Sequence, residues 1–525
     1  MATPEAARSA PAVDLVVAQR RSFWCTKSTN VIIVHLNSVP PKCTKMPSPQ
    51  PATPFFGRAR ELARLEELAA KKSASLVVIK GRRRIGKSRL TDEFARRMPR
   101  YTSLHFQGLP PSAKLTAAQE REDFAQQFAR QLRIPPPRAD DWNTLLWALA
   151  DRAAKGRQLI ILDEINWMGM QDPTFLGKLK NAWDLHFAKN PHLILILSGS
   201  MSSWIERNIL HHTGFLGRIS LDLTLSELPL ATCSLFWGKE RERITATEKF
   251  RLLAVTGGIP RYLEEMNPSL SSDANIQRMC FSQEGLLFNE FDNIFADLFN
   301  PRNETYRKIV AALVEGPLDL EQLYTALQIG KTGKVSGYAD DLIQTGLLAR
   351  DHTWSLKTGA ESKLSRLRLS DNYLRFYLKF VQPNRRRIEQ GTLSRLPNID
   401  SILGLQFENL VLKNRHSLFQ LLSIDPNDVV YDNPYFQRKT QRQRGCQIDY
   451  LIQTRDRTLY ICEIKFSRHP VPASVGLEAA EKIARLQIPR GMSYRAILIH
   501  SGEISHDLAE GDFFSAKLDL APLLS

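Results

Sequence analysis

The chain of 525 residues contains 43% hydrophobic and 24% charged residues, as expected of a globular protein of about three to four domains. Its 71 Lys and Arg against 55 Asp and Glu give a formal net charge of +16, which predicts a polyanionic partner, most simply nucleic acid. No apolar run approaches the roughly 18 residues that span a bilayer, and the six scattered cysteines lack the spacings of disulfide frameworks or zinc sites. We therefore expect a cytoplasmic protein without a membrane partner.

Residues 1–52 do not carry the pattern of a folded domain. They are poor in acidic residues and end in a proline-dense junction, so no amphipathic period continues into the next segment. We expect a disordered leader or linker, with an organelle transit peptide as the alternative. Met46 is a candidate start of the functional protein because the recognisable motifs begin shortly after it.

A complete phosphate-binding loop follows a short apolar strand at residues 75–80. The residues that fit the pattern G-x-x-x-x-G-K-S/T are Gly81, Arg82, Arg83, Arg84, Ile85, Gly86, Lys87 and Ser88. Glycines let the backbone turn tightly, so that its N–H groups and the start of the following helix, at Arg89, surround a polyphosphate. We expect Lys87 to reach the β- and γ-phosphates of ATP, and Ser88 to ligate Mg²⁺.

A second apolar strand, residues 159–162, ends in Asp163 and Glu164, which is the form of a Walker B strand. At the carboxyl end of a buried parallel strand, Asp163 is suited to hold Mg²⁺ and Glu164 to orient or activate the attacking water. Following a complete phosphate loop, this strand predicts an ATP hydrolase with ATP and Mg²⁺ as cofactors.

Two further residues are candidates for the same site. Ser198 follows a third apolar strand, residues 192–197, where it would sense the γ-phosphate or serve as an ordinary turn serine. Arg218 ends the segment 214–218, where an arginine would stabilise charge on the transferring phosphoryl group or simply face solvent. The residues alone leave both alternatives open.

Two flanking motifs resemble those of archaeal-type ATPases of the AAA+/STAND group. The segment Phe55-Phe56-Gly57-Arg58 is similar to the opening motif of that group, and residues 256–263 are similar to the G-G-x-P-x-Y turn of its helical lid. The resemblance implies a P-loop ATPase core with a parallel sheet at residues 53–222, followed by a helical lid at residues 223–300. It further implies that Arg261 is a second nucleotide sensor and that the ATPase domain forms homo-oligomers.

Residues 301–364 show three helices followed by a strand that begins near Gly346-Leu347-Leu348. This order resembles a winged helix, an α/β module whose third helix would lie in a DNA major groove with Lys331 and Lys334 near phosphates. The alternative is that this module only packs the neighbouring domains together.

A hairpin in the last third of the chain brings two carboxylates and a lysine together. Strands at residues 447–452 and 459–465 flank a short turn, and the two-residue period of a strand places Glu463 and Lys465 on one face. Folding the hairpin about its turn sets Asp449 opposite Glu463. Carboxylates that hold Mg²⁺, beside a lysine that positions water or stabilises charge, form a metal-dependent phosphodiesterase constellation.

The pattern Asp449…Glu463-x-Lys465 resembles the PD-(D/E)xK nucleases, whose restriction-endonuclease-like α/β fold runs helix, three strands, helix, strand. Residues 371–377 are similar to the segment that precedes this domain where it is fused to such ATPases, and the resemblance covers residues 365–525. It implies that Glu408, on the upstream helix, joins Asp449 and Glu463 as a metal ligand. Basic residues at 385–387 and 438–444 fit a nucleic-acid partner, in the first place DNA.

Two functions from different classes follow from these sites. In the first, ATP binding and hydrolysis control a DNA-associated nuclease-like domain. In the second, the protein is a STAND-type regulatory nucleotide switch, and its nuclease fold is a catalytically inactive scaffold.

Overall fold

The computed structural model describes residues 54–111, 114–200, 203–299, 303–330, 333–393, 397–441 and 443–525. The expected leader, which includes Met46, lies outside these ranges. Lys331, expected near DNA phosphates, also lies outside them. Phe55–Ser525 forms one compact unit. Across the described ranges, no helix is both long enough and apolar enough to span a bilayer.

Five parallel strands form the first sheet, in the order β2-β3-β4-β1-β5. The strands are β1 (Ser75–Gly81), β2 (Thr102–Gln107), β3 (Gln158–Asp163), β4 (Leu193–Ser200) and β5 (Ile219–Leu225). The helices before, between and around them are α1 (Ala59–Ala69), α2 (Lys87–Arg97), α3 (Ala117–Leu132), α4 (Trp142–Arg152), α5 (Ile165–Met170), α6 (Phe175–Leu185) and α7 (Ser203–Ile205). The predicted α/β fold with a parallel sheet is confirmed for this part of the chain.

Burial on both faces explains why the central strands β1, β3 and β4 are nearly continuous apolar runs, whereas the edge strands β2 and β5 carry exposed polar residues. Val77 and Ile79 of β1 belong to one hydrophobic cluster, whereas Leu76 and Val78 belong to the cluster on the other face. Because helices cover both faces, no strand position needs a polar side chain until the strand ends. Polar residues are therefore concentrated at the carboxyl edge, where the phosphate loop and Asp163 lie.

A helical segment follows the sheet, as predicted for the lid. Its helices are α8 (Leu230–Cys233), α9 (Ala246–Thr256), α10 (Pro260–Glu264), α11 (Ser272–Cys280) and α12 (Glu290–Phe299). The next module contains α13 (Asn303–Ala312), α14 (Leu320–Leu327), α15 (Gly333–Gln344) and the antiparallel strands β6 (Leu348–Trp354) and β7 (Glu361–Leu369). Three helices followed by a strand are the predicted order. The strand β6 pairs with β7 in a hairpin, which was not predicted and which continues past residue 364. The winged-helix assignment itself stays a prediction.

The last part of the chain forms a mixed five-stranded sheet in the order β12-β11-β10-β9-β8. Its strands are β8 (Val429–Gln437), β9 (Cys446–Thr454), β10 (Thr458–Phe466), β11 (Ser493–Ser501) and β12 (Ala516–Asp519). The helices are α16 (Asn372–Phe376), α17 (Arg385–Glu389), α18 (Asp400–Lys413), α19 (Arg415–Leu421), α20 (Ser474–Arg485) and α21 (His506–Glu510). Helix α18, the three antiparallel strands, α20 and β11 follow the order expected for a nuclease-like fold, and that assignment remains a proposal.

One hydrophobic cluster extends from the ATPase-type sheet through the lid and the helical module to the last sheet. Arg375 lies within it, fully buried, and donates hydrogen bonds to the carbonyls of Val314 and Leu369 at 3.2 and 3.1 Å and to Gln406 Oε1 at 2.8 Å. Burial lowers the pKa of Arg375 to about 10. One guanidinium thus satisfies acceptors from three segments of the chain.

We expect Arg375→Met to lower the free energy of unfolding by about 3 kcal/mol, because three buried acceptors lose a charged donor. Denaturant unfolding of the full chain measures this loss, with the exposed Arg386→Met as the control. Equal stability of the two variants would contradict the role assigned to Arg375.

Candidate functional site

The phosphate loop connects β1 to α2 at the carboxyl edge of the first sheet. Gly86 has φ 93°, a left-handed conformation that favours glycine, and a Cβ on Gly81 would lie 2.9 Å from the Leu225 carbonyl oxygen. Lys87 Nζ lies 3.3 Å from the Gly81 carbonyl oxygen, folded back over the loop. Ile85 packs its side chain into the core and contributes only backbone to the loop. A glycine loop at the start of a helix, as here, is an arrangement suited to binding an anion.

Asp163 ends β3 beside the loop, and Ser88 Oγ donates a hydrogen bond to Asp163 Oδ2 at 2.6 Å. Burial by itself raises the pKa of Asp163, but hydrogen bonding to His105 and Ser88 outweighs it and holds that pKa below its usual range. A hydroxyl and an ionised carboxylate in contact are a fitting donor set for Mg²⁺. The structure therefore brings together the two residues expected to hold that ion.

Glu164 adopts φ 50°, which is uncommon for a residue other than glycine. Its Oε2 accepts hydrogen bonds from the backbone N–H and the hydroxyl of Ser200, at 3.3 and 3.4 Å. Strained backbone held by surrounding contacts is typical of functional positions. Ser198, which the sequence favoured over Ser200, is fully buried beside Ile79 in the sheet and faces Asp163 rather than Glu164.

The sequence interpretation missed His105. Its Nε2 lies 3.8 Å from Asp163 and its Nδ1 lies 3.6 Å from Asp92, and these carboxylates raise the pKa of His105 to about 9. Strand β2 pairs with β3, so His105 reaches Asp163 from the neighbouring strand. No motif around residue 105 indicates this pairing, because it depends on strand order.

Arg218 does not face the phosphate loop of its own chain. It precedes β5, which runs parallel to β1, so it lies at the amino edge of the sheet, roughly 20 Å from the loop at about 3.3 Å per residue. Its guanidinium makes a bidentate ion pair with Asp184, at 2.6 and 2.8 Å. Arg218 therefore does not reach the phosphate loop of its own chain, and its expected role at the nucleotide stays a prediction.

The arginines of the loop contact the lid and the segment before the last domain. Arg82 forms a buried ion pair with Asp371 at 2.6 Å, and its side chain lies over the ring of Tyr262. Arg84 forms an ion pair with Glu290 at 2.6 Å, and Glu290 is fully buried. The sequence assigned Arg82, Arg83 and Arg84 to nucleotide, whereas two of them have protein carboxylates as partners.

Helix α10 of the lid lies against the same loop. A Cβ on Gly86 would lie 3.8 Å from Pro260 Cγ, and Arg89 of α2 donates a hydrogen bond to Glu264 of α10 at 3.3 Å. Arg261 pairs with Glu264 and Glu265 at 3.5 and 2.5 Å. Arg261, the expected second sensor, therefore lies on a helix that contacts the loop, and its charge is paired with two carboxylates.

The hairpin of β9 and β10 has the predicted register, with Tyr450 opposite Cys462 and therefore Asp449 opposite Glu463. Lys465 Nζ lies 3.0 Å from Glu463, as expected from one strand face. An ammonium that was not predicted, Lys482 of α20, contacts both carboxylates. Burial and the charge of Asp449 raise the pKa of Glu408 to about 7.

Among the described residues, no three His, Cys, Asp or Glu side chains gather as metal ligands. The expectation that Glu408, Asp449 and Glu463 hold a metal ion together stays a prediction. In this arrangement the ammonium of Lys482 contacts two of these carboxylates, at 2.6 Å from Glu463 and 3.6 Å from Asp449.

Residues 55–266 match the model of a family described as an ATPase domain predominantly from Archaea. An uncharacterized protein of Methanocaldococcus jannaschii is 24% identical over 343 residues, covering 64% of this chain and 71% of that protein. A Walker-type ATPase of Pyrococcus abyssi aligns with 18% identity and a TM-score of 0.46 over 62% of this chain and 96% of its own. The ORC2 protein of Aeropyrum pernix aligns with 14% identity and a TM-score of 0.38 over 65% and 96%. By the match to the family model, residues 55–266 are similar to ATPase domains of the archaeal type.

We expect Lys87→Ala to weaken nucleotide binding about tenfold or more, because the loop loses its charged phosphate contact. Titration with a fluorescent ATP analogue measures the affinity, and the melting temperature without nucleotide should stay unchanged. The exposed Lys72→Ala, just before β1, is the matched control. Unaltered affinity in Lys87→Ala would remove the loop from the nucleotide site.

Proposed function

We propose that this protein binds and hydrolyses Mg²⁺·ATP and transmits its nucleotide state to the C-terminal half of the chain. One observation carries the proposal: the loop whose backbone forms the anion site also holds Arg82 in a buried ion pair with Asp371. Phosphate groups and Asp371 are both anions, so binding at the loop alters the electrostatic environment of this pair.

The hydrolytic half of the proposal rests on residues at the carboxyl edge of the sheet. Lys87 and the backbone of the loop hold the phosphates, while Ser88 and Asp163, in contact at 2.6 Å, would hold Mg²⁺. Bound Mg²⁺ supplies positive charge to the phosphate oxygens. Glu164, fixed by two hydrogen bonds from Ser200, orients water and accepts its proton.

We expect Glu164→Gln to slow ATP hydrolysis about 100-fold or more while sparing ATP affinity, because only the base and water-orienting role is lost. A phosphate-release assay and a nucleotide titration measure the two quantities separately. The exposed Glu242→Gln should behave as the wild type. Wild-type turnover in Glu164→Gln would assign catalysis to another residue.

The transmitting half of the proposal rests on Asp371. Its Oδ1 accepts a hydrogen bond from the Leu374 N–H at 2.9 Å and so caps α16, while its other oxygen faces Arg82. Helix α16 in turn contacts the lid and α18, since Asn372 donates hydrogen bonds to the carbonyls of Leu253 and Gln406. A change at Arg82 therefore acts directly on the start of the C-terminal part.

We expect Asp371→Asn to melt at a lower temperature without nucleotide but to gain more stability from an ATP analogue than the wild type does. Asparagine keeps the helix cap, whereas Arg82 becomes a buried charge without its carboxylate. An anionic ligand at the loop then compensates that charge, which adds to the binding energy. Thermal melting with and without a non-hydrolysable ATP analogue measures both shifts.

The matched control is Asp351→Asn. Asp351 forms an equally buried pair with Arg368, at 2.7 Å, within the β6–β7 hairpin. This variant should be destabilised without any change in the stabilisation by nucleotide. Identical nucleotide shifts in Asp371→Asn and Asp351→Asn would refute transmission through Arg82.

A second candidate function is phosphodiester cleavage by the nuclease-like domain, with DNA as the first substrate to test. The observation that favours it is the meeting of Asp449, Glu463 and Lys465 near a loop that carries exposed basic residues at 438, 439 and 444. Nicking of a supercoiled plasmid, with Mg²⁺ or Mn²⁺ and with or without ATP, tests it. Cleavage that Glu463→Gln abolishes would support a nuclease. No cleavage under any condition would favour the alternative hypothesis of a regulatory nucleotide switch with an inactive nuclease fold.

A further inference from the structure

Lys482 changes how the cluster of Asp449, Glu463 and Lys465 in the C-terminal sheet should be interpreted. Its Nζ lies 2.8 and 2.6 Å from the two oxygens of Glu463 and 3.6 Å from Asp449 Oδ1. It comes from α20, which packs Val475, Ala479 and Ile483 into the core. The backbone around Lys482 is also held, because Cys446 Sγ donates to its carbonyl at 3.1 Å. The helix therefore presents this ammonium to the carboxylates from a fixed position.

Two ammonium groups already contact the paired carboxylates of this cluster. The side chains of Asp449 and Glu463 are only 13% and 4% exposed, so their mutual repulsion is weakly screened. Lys482 contacts both carboxylates, and Lys465 lies 3.0 Å from Glu463 while it also pairs with the more exposed Glu478 at 3.4 Å. A divalent cation added between Asp449 and Glu463 would therefore meet the positive charge of Lys482 at close range in a largely buried place.

We infer that Lys482 is a resident counter-cation, which occupies the position of a divalent metal between Asp449 and Glu463 and keeps this cluster metal-free. The inference rests on the proposed nuclease-like site and names the residue that controls it. The side chain of Lys482 is 29% exposed, and four methylene groups connect its ammonium to the helix, so it can leave the carboxylates without any movement of α20. Metal entry and withdrawal of Lys482 are therefore mutually dependent.

The test uses the full chain without nucleotide, titrated with MnCl₂ and followed by calorimetry and thermal melting. Lys482→Gln should melt at a lower temperature than the wild type without metal, because two carboxylates then lack their shared cation. Mn²⁺ should restore that loss by binding to a site that the wild type does not offer at the same Mn²⁺ concentration. The double variant Lys482→Gln with Asp449→Asn should lose the added Mn²⁺ binding. This result distinguishes Mn²⁺ at the hairpin from Mn²⁺ bound by Ser88 and Asp163.

The matched control is Arg485→Gln on the same helix. Arg485 carries the same charge but pairs with Glu481 on the surface, at 2.9 Å. Its replacement should leave Mn²⁺ binding unchanged. Lys482→Arg, which keeps the positive charge, should bind Mn²⁺ no better than the wild type.

A second comparison does not depend on the folding of Lys482→Gln. The wild type and Asp449→Asn should bind Mn²⁺ equally, because the cluster of the wild type holds no metal ion that the loss of Asp449 could remove. A Mn²⁺ site that the wild type has and Asp449→Asn lacks would overturn the inference, as would equal Mn²⁺ affinity in the wild type and Lys482→Gln. If Lys482→Gln gains the site but no variant cleaves DNA, the inference stands and the nuclease proposal fails. If the wild type cleaves DNA and Lys482→Gln gains no Mn²⁺ affinity, the inference fails and the nuclease proposal stands.

Discussion

The buried ion pair between Arg82 and Asp371 ties the phosphate loop to the C-terminal half of the chain. Both side chains are almost inaccessible to solvent, so neither charge is tolerable there without the other. Arg84 and Glu290 repeat this contact on the other side of the loop, between the nucleotide site and the start of α12. The loop is consequently a junction of three segments as well as an anion site. Its conformation and the position of α16 depend on one another.

Local sequence was sufficient to predict the strand, loop and helix of the phosphate-binding motif. The strand, glycine loop and helix around Lys87 are contiguous, and their backbone requirements are specific to few residue types. Asp163 and Glu164 were singled out because carboxylates are uncommon inside a fully buried parallel strand and here follow directly after its apolar run. In the hairpin, counting residues about the turn was enough to set Asp449 opposite Glu463, since each strand has a fixed period.

Contacts between distant segments could not be predicted in this way. His105 reaches Asp163 only because β2 lies next to β3, and the local sequence around these residues does not reveal the order of the strands. Lys482 looks like any exposed lysine of an amphipathic helix until the packing of α20 orients it. The role of Arg82 was missed for the same reason, since its partner lies in another part of the fold. The position of Arg218 at the amino edge of the sheet could not be predicted either, because its motif does not reveal the edge on which it lies.

The two sites use charge in opposite ways. At the phosphate loop, positive groups and backbone N–H groups surround a place for an anion, and protein carboxylates hold the surplus arginines. At the β9–β10 hairpin, Lys465 and Lys482 form ion pairs with Glu463, one of the carboxylates expected to bind a metal ion. In both places a partner from a distant segment completes the local charge balance. Each site therefore responds to the packing of the domain that supplies this partner.

Hydrogen–deuterium exchange of the full chain, with and without a non-hydrolysable ATP analogue, tests the central claim of transmission most directly. The account predicts that nucleotide changes the exchange of backbone amides in α16 and at the start of α12, beside the expected protection of the phosphate loop. The same changes should be absent in a chain with Lys87→Ala. Protection confined to the loop and α2, with unaltered exchange at residues 287–291 and 372–376, would contradict it.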